Sequence, residues 1–269
     1  MSRDKKYEFT GETKTAFGRT LHQIRAVVPI DAIGVAAGDV GGWIESEKNL
    51  SQEGDAWVSG NAQVYGNAQV SGDAQVYGNA WVSGNAQVYG NAQVYGDAQV
   101  YGNAWVSGNA QVYGNAQVYG DAWVSGDAWV YGNAWVSGNA QVYGNAQVYG
   151  NAQVYGDAWV YGNAQVYGNA WVYGDAWVYG NAQVYGNAWV YGNAECLWFS
   201  KVGSENGTLT ACRSKDGVWV SRGCFSGSLE EFEEAVQKTH GDSQIAKQYA
   251  LLIEFIRLRA ASWKDQAND

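Results

Sequence analysis

Gly54-Asp55-Ala56-Trp57-Val58-Ser59 introduces a six-residue phrase, Gly-(Asn/Asp)-Ala-(Gln/Trp)-Val-(Tyr/Ser), that recurs almost without error. It last completes as Gly186-Asn187-Ala188-Trp189-Val190-Tyr191 and decays at Gly192-Asn193-Ala194-Glu195. Glycine falls at every sixth position from Gly54 to Gly192, giving twenty-four phrases. A repeat this strict sets the architecture before any single residue is weighed. Within the phrase, Ala-x-Val-x alternates a small apolar residue with a variable one, the period of a strand with one buried face. The Gly-(Asn/Asp) pair tolerates positive φ and turns the chain at a fixed place. One strand and one corner per six residues leave no room for a reversal at every strand. They suit a coil of three short parallel strands, a triangular solenoid.

These phrases resemble the hexapeptide-repeat, left-handed β-helix family, in which an aliphatic residue points inward and a small residue sits two positions earlier. Val58, Val64 and Val70 match the aliphatic position; Ala56, Ala62 and Ala68 match the small one. The left hand is implied by that resemblance and not by the spacing. Three phrases per coil give about eight coils and, at ~4.8 Å between stacked strands, a rod roughly 38 Å long. Each coil is expected to bury three valines, worth ~1.5–3 kcal/mol apiece, and to add its stability to that of its neighbours. So thin a core leaves no interior cavity, which puts function on the outer faces, at the ends or in the flanks.

Charge narrows the partners. The 269 residues carry Lys+Arg 16 against Asp+Glu 26, a net −10, which argues against a sequence-independent grip on nucleic acid. Residues 54–194 hold no Lys, Arg, Glu or His and seven aspartates, Asp55, Asp73, Asp97, Asp121, Asp127, Asp157 and Asp175. Seven charges fall far short of duplex DNA, which would bear about 22 over such a length, so mimicry of DNA by charge is weak. The start has no apolar run of a secretory signal, and no stretch approaches the ~18 apolar residues of a membrane span. With 3 cysteines, none in the repeat, a cytoplasmic protein with reduced thiols is expected.

The flanks differ sharply from the repeat. Residues 1–53 read as hairpin-like strands and a cap, with Gly41-Gly42-Trp43-Ile44 and Asn49-Leu50-Ser51 as degenerate phrases of a first imperfect coil. Residues 195–269 read as a small α+β module. Leu197–Ser200, Thr208–Ala211 and Val218–Ser221 suggest a three-stranded meander with turns at Asn206-Gly207 and Asp216-Gly217. Ser228-Leu229-Glu230-Glu231 is a capping box opening one helix. A second runs from about Ser243 to Ala261, with Ile245, Tyr249, Leu252 and Ile256 as its stripe and Leu251, Phe255 and Leu258 widening it. That helix is expected to pack on the meander.

Chemistry is sparse. Enzymes on hexapeptide-repeat scaffolds use histidines on the coils for acyl transfer or to hold a metal, and these coils have none. No catalytic residue, cofactor or metal is expected. Cys196, Cys212, Cys224 and His240 lack the close Cys-x2–4-Cys pair of a zinc site, and the three cysteines read as buried structural residues. Arg213, Lys215 and Arg222, ahead of the helix after Ser228, form a weak candidate anion site. The outward positions carry the better signal. Identical positions restack every 18 residues, which puts Trp105 under Trp123, Trp159 under Trp177 and Trp171 under Trp189, and aligns Tyr77, Tyr95 and Tyr113. Ten outward tryptophans would make an exposed aromatic wall for self-association, a protein partner or a small ligand such as a nucleotide or sugar. Against a single precise epitope, Trp57, Trp81 and Trp105 are spaced by 24 residues, the mark of duplication in units of four phrases rather than of one coil face.

The whole chain also resembles phage and prophage proteins of enteric bacteria, through Lys6–Thr13, Gly41–Glu45, Asn206–Thr210 and Gly223–Phe225. That resemblance implies an accessory or host-interacting role. The sequence thus leads to a non-enzymatic, mainly β protein. Homo-oligomerisation through its aromatic faces is the expected behaviour, with a host protein as the other macromolecular partner.

Overall fold

A computed structural model describes residues 5–191, 196–214 and 217–263. The repeats form a parallel β-solenoid of two- and three-residue rungs, about eight turns at three rungs each. The chain divides into two units, residues 1–138 and 139–269.

In the first unit the rungs pair in parallel at a spacing of 18 residues. Trp105–Val106 lies on Trp123–Val124, and Gln111–Val112 on Trp129–Val130. The period-two alternation acts as expected: every phrase alanine and valine from Ala56 to Val190 is buried. The corners follow from stereochemistry. Gly102, for example, sits at φ +74°, where an L-residue is strained, and an ideal Cβ there would lie 2.9 Å from the backbone nitrogen of Gly120. Asn side chains at the corners form a second ladder. Asn85 Nδ2 donates to Asn103 Oδ1 at 2.9 Å, and Asn103 Nδ2 to Asp121 Oδ1 at 2.8 Å. The corner aspartates therefore serve as acceptors within the stack.

The N-terminal strands β1 (Tyr7–Ala16), β2 (Arg19–Ala26) and β3 (Val40–Ile44) pair antiparallel in sequence. β3 then switches direction of pairing: Trp43 and Ile44 align in parallel with Gln63 and Val64, and Leu50 bridges Val70. This imperfect first turn solves a polar problem. Along the solenoid, N–H groups of one turn donate to Gly, Ala and Val carbonyls of the next, so the first turn leaves carbonyls without donors. Lys6 Nζ donates to the carbonyls of Gly54 (3.1 Å) and Ala56 (2.8 Å). Asn49 Nδ2 serves those of Gly66 (3.1 Å) and Ala68 (2.9 Å), and the Tyr7 hydroxyl that of Leu50 (2.8 Å). Burial of Lys6 lowers its pKa to about 8 against the opposing pull of Asp55 and Asp73.

In the second unit the rungs from Gln141–Val142 to Trp189–Tyr191 stack in the same register. The sequence suggested three further strands; the described residues form four, Cys196–Val202, Gly207–Ser214, Gly217–Arg222 and Phe225–Ser228, in antiparallel order. The missed strand follows the tight turn Gly223-Cys224, with Gly223 at φ +61°. Its Phe-Ser-Gly-Ser composition carries almost no strand signal. At this end the uncapped groups are N–H donors, and the sheet supplies acceptors, as where Gln183 N–H donates to Thr210 Oγ1 at 2.9 Å. Trp219 Nε1 and Ser226 Oγ both donate to the Tyr185 carbonyl, and the Tyr185 hydroxyl donates to Gly223 and Phe225 carbonyls.

Helix α1 (Leu229–His240) opens on the expected box: Ser228 Oγ accepts from Glu231 N–H, and the Glu231 carboxylate accepts from Ser228 N–H at 2.8 Å. Helix α2 (Gln244–Ala261) packs on the sheet through Ala246, Tyr249, Ile253 and Ile256. Leu252 and Ile245 are partly buried against that core, Phe255 meets Phe199 edge-on at 5.8 Å, and Leu251 and Leu258 face outward. The stripe expected from the sequence thus divides into a packed side and an open side.

Candidate functional site

The rung register brings together every aromatic pair expected from the 18-residue period. Trp105 stacks on Trp123 with ring centroids 4.8 Å apart, Trp159 on Trp177 at 5.2 Å and Trp171 on Trp189 at 5.0 Å. Tyr77, Tyr95 and Tyr113 stack at 4.8 Å, and Tyr131 extends the column at 4.9 Å. These separations are the interstrand spacing, so backbone hydrogen bonding imposes the ring geometry. Tyrosine hydroxyls reach sideways to glutamines of the next turn, as from Tyr77 to Gln93 Oε1 at 3.3 Å. Burial, with a smaller contribution from the flanking hydroxyls of Tyr131 and Tyr95, raises the Tyr113 pKa to about 12. Tyr77, Tyr95 and Tyr101 move in the same direction, burial again being the main cause.

The ten outward tryptophans are less exposed than the sequence suggested. Trp57 is buried, and Gly41 and Gly42 lack side chains where β3 crosses that first turn. Trp81, Trp105, Trp159, Trp171 and Trp189 are half-buried or lie against flanking rings. Tyr143 meets Trp159 edge-on at 6.3 Å, and Phe17 covers Trp81 at 4.5 Å. Four remain exposed: Trp123 (46%), Trp129, Trp135 and Trp177 (48%). Trp123, Trp129 and Trp135 lie on successive rungs and therefore on all three faces of one turn. In the second unit Trp177 and Tyr179 continue a two-row aromatic strip over Trp159 and Tyr161, and Trp198 closes on Tyr179 edge-on at 4.7 Å.

The candidate anion site does not assemble from the described residues. Arg213 aligns with Val218 and Arg222 with Leu209, at opposite ends of one hairpin ladder, while Lys215 lies outside the described residues. The Glu231 carboxylate already fills the start of α1.

The cysteines differ from expectation as well. Cys196 and Cys212 are directly opposed across adjacent strands, Cα atoms 4.2 Å apart, and form a disulfide. Their register puts them at a close-approach pair that suits a bridge. The expectation of reduced thiols is therefore overturned at these two positions, and the bridge sits poorly with a reducing compartment. Cys224 is free but exposed, not buried. No group of His, Cys, Asp and Glu among the described residues is arranged to hold a metal ion. No described helix is long and apolar enough to cross a membrane.

Two cavities accompany these features. One, of about 310 Å³, is lined by Arg19, Glu45, Ser46, Lys48, Gly66 and Asn67. Its polar groups satisfy one another: Glu45 accepts from Gly66 N–H at 2.7 Å and from Arg19 at 2.9 Å, and the first of these contacts dominates the lowering of its pKa. The other, of about 250 Å³, lies between the Arg222–Phe225 turn and the two helices.

Stacked parallel rungs, a glycine corner every six residues and a capped first turn define a parallel β-solenoid repeat protein. In agreement, ten stretches match the family model described as YdcK Beta solenoid repeat. They cover residues 74–144 in overlapping matches, then 146–162, 164–180 and 182–194. No curated protein matches the chain.

Proposed function

We propose that this β-solenoid is a non-enzymatic scaffold that associates with a second copy of itself through its exposed tryptophans. The observation that carries this reading is the exposure of Trp123 and Trp177, each nearly half open to solvent at the end of a stacked tryptophan pair. A stacked ring is already ordered by its rung, so little rotamer freedom is lost when a partner covers it. Large rigid aromatics are also the side chains that most often dominate an interface. Residues 54–194 offer no Lys, Arg, Glu or His for acid–base work, which favours binding over catalysis. The resemblance of the flanks to phage and prophage proteins supports an accessory role in a bacterial host, where a host protein would take the place of the second copy.

The test is the native mass of the full chain and of the Trp123→Ser and Trp177→Ser variants. An assembly should appear for the parent chain and weaken about thirtyfold or more per interface tryptophan, the ~2 kcal/mol of a binding hot spot. A parent chain that stays monomeric at high concentration, or variants of unchanged mass, would refute self-association. Extra mass from a host protein, lost in the variants, would transfer the same surface to that partner.

A further inference from the structure

Serine interrupts the tyrosine columns, and one of those interruptions is filled from outside the repeat. Five phrases end in Trp-Val-Ser in place of a tyrosine ending, with their tryptophans at Trp57, Trp81, Trp105, Trp123 and Trp135. By register, Ser83 succeeds Tyr65 in its column. A ring is missing there, and Phe17 from the turn between β1 and β2 takes the vacant place. It stacks on Tyr65 at 5.5 Å and stands edge-on to Trp81, on the rung of Ser83, at 4.5 Å, with its outer side still exposed. Phe17 holds φ +52°, a conformation uncommon for a bulky residue, so the turn keeps this ring in position against a backbone cost. Two residues on, the Arg19 guanidinium lies over the Tyr65 ring at 5.9 Å and pairs with Glu45. The turn therefore delivers an aromatic ring and a neighbouring cation to a serine gap on an aromatic face.

A longer gap of the same kind lies on another face of the first unit. On the sheet that holds Trp105 and Trp123, Ser107 and Ser125 succeed Tyr89 in its column. Two ring places are vacant in succession, a notch about 10 Å long at the interstrand spacing. Stacked Trp105 and Trp123 form its side, and the half-buried serines form its floor. Tyr89 closes one end, edge-on to Trp105 at 6.2 Å. The corners bordering the Trp123 rung carry Asp121 and Asp127, both exposed, and residues 54–194 contain no lysine or arginine.

We propose that this notch binds a segment of another protein in which an aromatic residue stands beside a basic one. The guest ring takes the tyrosine places over Ser107 and Ser125, edge-on to the tryptophans as Phe17 is to Trp81. The guest cation faces Asp121 and Asp127 and the rings beside them. These are the contacts that the chain makes with its own Phe17 and Arg19, so the chemistry of the guest follows from residues already docked. The notch shares Trp123 with the assembly face, so guest and second copy compete for it, but the notch does not need the assembly in order to exist.

The probe is a backbone-cyclised, fluorescein-labelled peptide of residues 13–22, which include Phe17 and Arg19, titrated into the full chain and followed by anisotropy. Native mass at the same concentrations gives the state of assembly. The peptide should bind saturably at one site and weaken as salt is raised. Its Phe17→Ala form should bind at least about tenfold more weakly, and its Arg19→Ala form at least about threefold. The blocking variant of the protein is Ser107→Tyr with Ser125→Tyr, which installs the residue most phrases carry and completes the column. It should keep a urea midpoint at or above the parent's and lose the peptide. Absence of saturable binding, indifference to either peptide substitution, or binding that survives the completed column would each overturn the proposal. An assembled chain that takes no peptide would give the notch to a second copy, which also overturns it. A monomeric chain that binds the peptide would support the notch and overturn the assembly reading alone.

Discussion

Replacing Gly102 by alanine tests how the corner sets the rung spacing. Gly102 has φ +74°, and its ideal Cβ would lie 2.9 Å from Gly120 N and 3.0 Å from Gly120 O. Two costs follow. The left-handed backbone penalises an L-residue by ~1–2 kcal/mol, offset by a smaller gain of ~0.4–1 kcal/mol from a stiffer unfolded chain. The Cβ must also push against backbone atoms that cannot rotate away. Relief requires lengthening the 2.7 Å bond from Asn103 N–H to Gly120 O, worth ~1 kcal/mol. The sum is a loss of about 2 kcal/mol. Gly18→Ala is the control: Gly18 has φ +71° and nothing within 4 Å of its ideal Cβ, so it carries the conformational cost alone, about 1 kcal/mol. Urea titrations of the three proteins give the comparison, and hydrogen exchange at Asn103 localises it. Equal losses in the two variants would show that rung crowding is not what reserves the corner for glycine. A Gly102→Ala protein as stable as the parent would refute the whole account.

The ionisable groups predict an unusual pH profile. Lys6 has a folded pKa of about 8, below its ordinary 10.5, so between those values the unfolded chain binds the proton better and stability rises with pH. The column tyrosines have the opposite sign: folded values are raised above 10, so their contribution is complete below pH 10 and is lost as pH climbs through the folded values, about 12 for Tyr113. Urea midpoints should increase from pH 7 to about 10 and then fall, and Lys6→Met should flatten the rise; a monotonic decline from pH 7 in the parent would contradict the burial of Lys6. Reduction of Cys196–Cys212, 16 residues apart, should destabilise the C-terminal sheet by about 3 kcal/mol through loop entropy. Exchange rates of the Gly207–Ser214 amides report it, with Cys224→Ser as a silent control, and unchanged protection after reduction would refute the estimate.

Much of this fold was legible because one phrase, repeated, leaves few alternatives. The alternation of Ala and Val fixes the inward face, and the 18-residue period alone aligned Trp105 with Trp123 and Tyr77 with Tyr95. Exposure was not legible, since it depends on what lies beside a ring. Trp57 and Trp123 occupy the same phrase position, yet one is buried beneath the N-terminal strands and the other is open. The Arg222 cavity was hidden for a related reason. Arg213, Lys215 and Arg222 look like a cluster in sequence, but strand register sends the described arginines to opposite ends of a ladder. It leaves Arg222 beside Phe225 and helix α1, whose lining residues come from well-separated segments. The strand Phe225–Ser228, which completes that wall, has no apolar alternation to announce it.

The division of labour within the chain follows from the polarity of a parallel stack. A turn inside the solenoid receives hydrogen bonds on one side and gives them on the other, so identical phrases satisfy one another and need no special residue. The first turn in the first unit instead needs donors, found in Lys6, Tyr7 and Asn49. The last described turn in the second unit needs acceptors, one of which is Thr210 Oγ1. Repetition cannot provide either, and the ends are therefore where the sequence must become irregular. Irregular sequence also brings in the side chains that a six-residue phrase excludes: Arg222, Cys224 and His240 all belong to the module that follows the repeats. The repeats, with the same outward positions in every phrase, are suited to presenting aromatic surface. Lysine, arginine, histidine and cysteine, which the phrase excludes, enter the chain outside residues 54–194, where the pairing requirements of the stack no longer dictate the sequence.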